Sequence, residues 1–170
     1  MRQLVILNLK LQKYIKYFKD GKSEFIFVNL GDKCSVISVR GNSKYDDFYV
    51  VNNMSKYATE IDKYFVLEPS KFDGVTINGL MENTIIRNIY LPKTANYSEL
   101  ITYKDIFIYA EKYNINVELY DVEDIVEICN GVSFCKIGND ISAIASSDNY
   151  VEISDKKVFY VYGGATQKRA

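Results

Sequence analysis

Apolar and polar positions alternate along much of this chain, and short turn signals punctuate the alternation. Residues 3–9 predict a strand. Residues 10–19 predict a helix, with Leu11, Tyr14, Ile15 and Phe18 on one face and Lys13, Lys16 and Lys19 on the other. Asp20-Gly21-Lys22 would end that helix. Residues 24–30 and 34–40 predict two strands joined around Gly31-Asp32-Lys33. Residues 48–51, 64–67 and 84–90 are further strand candidates, and residues 70–79 read as a short helix or a loop.

Pro92 to Ser98 reads as a linker-like break. A helix is expected from Thr102, with Asp105 three residues on as a capping-box-like pair, to about Tyr113, where Asn114 is a natural stop. Residues 116–120 predict a strand and 121–129 a short helix. Strands follow at 132–137, 141–146, 150–153 and 158–162, and residues 163–170 are expected to form a flexible tail. The pattern as a whole predicts an α+β fold of largely antiparallel sheet with a few short helices.

Phe27 to Ile37 lies without a gap against Phe134 to Ile144, sharing Phe, Gly, Ser and Ile at matching positions. Either the chain repeats a β-α-β-β unit, in halves 1–92 and 97–162, or two unrelated hairpins share turn chemistry. Residues 1–162 are expected to form a single domain.

Composition narrows the class. Hydrophobic residues make up 48% and charged residues 25% of 170, enough apolar material for a core. The net charge of −1 and pI of about 5.6 give no global basic field for nucleic acid. No apolar run approaches the roughly 18 residues needed to cross a bilayer, so no membrane association is expected. The opening segment is broken by Asn8, Lys10, Gln12 and Lys13 and reads as no signal peptide. Cys34, Cys129 and Cys135, odd in number and apolar in their flanks, suggest reduced thiols in a cytoplasmic setting. The abundance of Lys, Asn, Ile and Tyr suggests an AT-rich gene, as in a phage, a virus or a low-GC bacterium.

Candidate chemistry is sparse. The chain has no His, which removes the commonest general base and zinc ligand. The cysteines lack metal-knuckle spacing and no phosphate-cradling glycine pattern precedes a helix, so no metal, cofactor or catalytic residue is expected. Asp121, Glu123, Asp124 and Glu127 read as a solvated acidic helix face, with a hard-cation site as the alternative. Asp148, Glu152 and Lys156 lack the acidic-x-Lys strand signature of metal nucleases. A charged partner would best be met by the predicted first helix, where Lys10, Lys13, Lys16, Lys19 and Lys22 surround Tyr17. The 15 tyrosines suggest a second surface, with Tyr45, Tyr49, Tyr57 and Tyr64 clustered in the least regular stretch.

The β-α-β-β layout of residues 3–51 and 116–153, with its Phe-x-x-φ-Gly-[Asp/Asn] turns, resembles the half-domain unit of DNA sliding clamps. The resemblance implies helices facing DNA and a ring closed by oligomerisation. The Lys-rich first helix suits that role; the acidic second helix does not. Residue chemistry and this resemblance together leave a non-enzymatic protein-binding or assembly protein as the leading expectation, engaging a protein partner or itself. A nucleic-acid accessory protein is the alternative, and a carboxylate-dependent metal enzyme comes last.

Overall fold

The computed structural model describes residues 14–20, 23–29, 34–40, 58–67, 69, 73–121, 126–129, 132–137, 141–145, 149–154 and 157–162. They form two compact units, Met1–Leu119 and Tyr120–Ala170. The break expected at Pro92 to Ser98 lies inside the first unit, between a strand and the helix that follows it.

The first unit is a six-stranded sheet in the order β1-β2-β3-β4-β5-β6. Its strands are β1 (Tyr14–Asp20), β2 (Ser23–Asn29), β3 (Cys34–Arg40), β4 (Glu60–Val66), β5 (Ile85–Pro92) and β6 (Asn116–Tyr120). β1, β2 and β3 pair antiparallel, but β3 with β4 and β4 with β5 pair parallel. The fold is α+β, and this sheet is mixed rather than antiparallel throughout. The connection over residues 41–59 is long enough for the crossover that parallel pairing needs. Helix α1 (Asp73–Leu80) joins β4 to β5, and helix α2 (Tyr97–Tyr113) joins β5 to β6.

Cross-strand registers explain the core. Phe27, Val36, Tyr64 and Ile89 form one row across β2 to β5, and the helices add Ile77, Leu80, Tyr103, Ile106 and Ala110 to the same cluster. The next row, Ile26, Ile37, Phe65 and Tyr90, belongs to the opposite face. Ile26, Ile37 and Phe65 are also buried there, and the Phe65 and Tyr90 rings stack 4.6 Å apart. Burial on both faces accounts for the continuous apolar runs of β2 and β4.

Two predicted helices contain strands among their described residues. Residues 14–20 pair with β2 from Tyr14↔Asn29 to Asp20↔Ser23, so the Lys-rich helix that the clamp resemblance requires is absent from this segment. Tyr14, Ile15, Tyr17 and Phe18 are β-branched or aromatic and favour a pleated surface. Asp20-Gly21, read as a helix stop, precedes a hairpin partner. The second error falls at β7 (Val126–Cys129), which pairs with β8 (Val132–Ile137) where a helix over 121–129 was expected. The Asn130-Gly131 dipeptide between them is a hairpin signal that outweighs the helical spacing of the acids.

The second unit is a five-stranded antiparallel meander in the order β11-β10-β9-β8-β7. It continues through β9 (Ile141–Ala145), β10 (Asn149–Ser154) and β11 (Lys157–Tyr162). The two hairpins suspected of repeating both exist, but their registers differ by one residue. Phe27 pairs with Val36, whereas its counterpart Phe134 pairs with Ile144, one position beyond the counterpart of Val36. Their surroundings differ as well, because β3 meets its next strand in parallel and β9 meets its own antiparallel.

Candidate interaction surface

Helix α2 begins on a local network. Asn96 is the N-cap, its side chain accepting from the Ser98 N–H at 2.9 Å. The Thr94 hydroxyl accepts from the Asn96 N–H and donates to the Glu99 carboxylate. The helix therefore starts at Tyr97, earlier than Thr102, and the polar run read as a linker is its cap. At the other end Asn114 takes φ 55°, and the Asn114 and Ile115 N–H groups satisfy the last carbonyls, at Glu111 and Ala110.

One face of α2 is committed to the core through Tyr103, Ile106 and Ala110. The side toward α1 is packed too: the Lys112 ammonium reaches Asn78 Oδ1 at 3.3 Å and lies 4.6 Å from the centre of the Tyr113 ring. The Tyr113 hydroxyl donates to the same Asn78 oxygen at 2.8 Å. The outer face carries a second apolar set. Tyr97 is 76% exposed, Ile101 56%, Ile108 49%, and Leu100 and Phe107 47% each. At about 3.6 residues per turn, Leu100 and Phe107 flank one side of this stripe and Ile101 and Ile108 the other, with Tyr97, Lys104 and Glu111 along its middle. A helix apolar on two opposed faces has one face more than its own core uses. The doubled periodicity of Tyr97 to Tyr113 is visible in the sequence, but residue types alone do not say which of the two stripes the sheet covers.

A buried polar set lies near the carboxyl ends of the parallel strands. Ser38 Oγ donates to Asp73 Oδ1 at 3.3 Å, and the Tyr103 hydroxyl donates to the Pro92 carbonyl at 2.6 Å. Burial, with the charges of Glu99 and Asp73 adding to it, pushes the Tyr103 phenol up to about 12. These bonds tie α1 to β3 and α2 to β5, a positioning role. Among the described residues no three of Cys, Asp and Glu gather where they could hold a metal ion. Cys34 is half-buried on β3, where desolvation pushes its thiol up to about 11 and away from nucleophilic reactivity.

Four of the lysines and tyrosines the sequence nominated for contact fall among the described residues. Lys16, Tyr17 and Lys19 belong to β1, where alternation along the strand puts positions 16 and 19 on opposite faces. Lys10, Lys13, Lys22, Tyr45, Tyr49 and Tyr57 lie outside the described residues. Tyr64 is fully buried on β4 and belongs to the core, not to an interaction surface. Of the acidic set, Asp121 is exposed, Glu127 belongs to β7, and Glu123 and Asp124 lie outside the described residues. No described helix is long and apolar enough to cross a membrane. No protein-family model matches this sequence, and no curated protein matches it.

Proposed function

We propose that this protein is a binding or assembly module whose contact surface is the outer face of α2. The observation that carries the reading is the exposure of Tyr97, Leu100, Ile101, Phe107 and Ile108 on one stripe of a helix already anchored by its opposite face. Single exposed apolar residues are ordinary, but a contiguous set on a rigid, well-capped element is the form that partner-binding surfaces take. Tyr97, Leu100 and Ile101 stand at i, i+3 and i+4, and Phe107 and Ile108 recur at i+10 and i+11 on the same side, the helical spacing by which helices engage helices or grooves.

The double variant Ile101→Ser, Ile108→Ser tests this. Ile and Ser have similar helix propensities, so the change removes apolar surface while leaving the helix intact. At dilute protein concentration the melting temperature should stay within about 2 °C of the parent, as for exposed positions away from special features. Binding of a dye that reports apolar surface should fall. A drop of about ten degrees, showing the face to be covered within the chain, would overturn the reading, as would unchanged dye binding.

A further inference from the structure

We infer that the partner for the C-terminal half of this face, from Lys104 to Glu111, is a second copy of the same chain, docked with the two α2 helices antiparallel about a two-fold axis at Phe107 and Ile108. The inference rests on the binding reading above and adds the identity of the partner. Two charged residues interrupt the middle of the apolar stripe, and they carry opposite signs: Lys104 and Glu111. Both are exposed, and neither forms an ion pair among the described residues. They are seven positions apart, which at about 1.5 Å per residue is roughly 10 Å along the axis.

A two-fold perpendicular to the helix and midway between these charges is self-complementary. It sets Lys104 opposite Glu111 of the partner subunit and Glu111 opposite Lys104 of the partner subunit, about 5 Å on either side of the axis. At the axis Phe107 and Ile108 meet their own symmetry mates, giving an apolar centre flanked by two ion pairs. Moving the axis by about one turn toward the N-termini, a relative slide of roughly 10 Å, brings Lys104 against its own copy, which like-charge repulsion disfavours. Parallel pairing in register likewise sets each charge against itself. Polar groups within an apolar seam select orientation and register in this way when helices associate. About this axis the two helices overlap over residues 102–113, roughly 18 Å, which lies below the usual size of specific interfaces, so association no tighter than the micromolar range is expected.

Sedimentation equilibrium of the full chain, from about 1 to several hundred micromolar, reads the outcome. The parent should show a reversible monomer–dimer equilibrium. Lys104→Glu and Glu111→Lys each create two like-charge pairs across the axis and should each weaken association at least about tenfold. An equimolar mixture of the two variants should dimerise again, because each then offers the charge the other lacks, and the Lys104→Glu, Glu111→Lys double variant should dimerise as the parent does. A parent that stays monomeric, single variants that associate like the parent, or a mixture that fails to recover each overturn the inference. If the parent is monomeric while the serine variant keeps its stability and loses dye binding, the partner is a different protein and the binding reading stands. If the serine variant melts much lower, both fail together.

Discussion

Tyr103 is 2% exposed beneath α2 and donates its hydroxyl to the Pro92 carbonyl, so its neutral form is the one the fold holds. Burial pushes it from 10.0 up to about 12, and pushes the Cys34 thiol from 9.0 up to about 11. Each group binds its proton more tightly folded than unfolded. The resulting stability is fully present below the unfolded values and is lost as pH rises through the folded ones. The melting temperature should therefore decline between pH 9 and 12. Tyr103→Phe should lower stability at neutral pH, by stranding a carbonyl, yet show a shallower decline above pH 10. Parallel pH profiles for parent and variant would contradict the assignment. Gly74 offers a test of packing with an unusual sign. In most helices Gly→Ala stabilises by up to about 1 kcal/mol. Here an added Cβ would sit 2.7 Å from Asp105 Cβ and 3.1 Å from the Asp105 carbonyl carbon, which no side-chain rotation relieves. Gly74→Ala should instead cost about 1–3 kcal/mol in a denaturant titration.

At the scale of the element, α2 has neighbouring residues with opposite fates. Ile106 is fully buried in the core cluster, and Phe107, the next residue, is 47% exposed. Ile106→Ala should cost about 2–5 kcal/mol by transfer and cavity terms. Phe107→Ala, the larger deletion, should change stability by about 0.5 kcal/mol or less in dilute solution. Equal losses in a thermal melt would mean that both faces are packed within one chain. The ends of this helix show how far local sequence reaches. Asn114 is a stop readable from residue type alone, and it adopts the left-handed conformation expected of it. The start was missed because Thr94, Asn96 and Ser98 form a side-chain network that resembles a loop in composition.

Across the whole molecule, all strand pairings of the six-stranded sheet lie within residues 14–120, and those of the five-stranded meander within 126–162. A chain ending at Asp121 retains every strand and helix of the first sheet. It should fold with a single cooperative thermal transition and a circular dichroism spectrum of mixed α and β character. A non-cooperative melt would mean that the first unit depends on the second.

Local physics determined much of this protein through the sequence alone. The strands β2, β3, β6, β8, β9, β10 and β11, the end of α2 and the α+β class follow from alternation, turn residues and an αL-tolerant Asn, all readable within a few positions. Tertiary structure decided the rest. The peptide of β1 carries helical spacing and strand propensity together, and pairing with β2 settles the contest. Tyr64 is indistinguishable from an interface tyrosine until the row Phe27, Val36 and Ile89 encloses it. The outer face of α2 becomes a surface only once the sheet has taken the other one. Which apolar residues stay in water depends on contacts between segments far apart in the chain, and no local pattern carries that information.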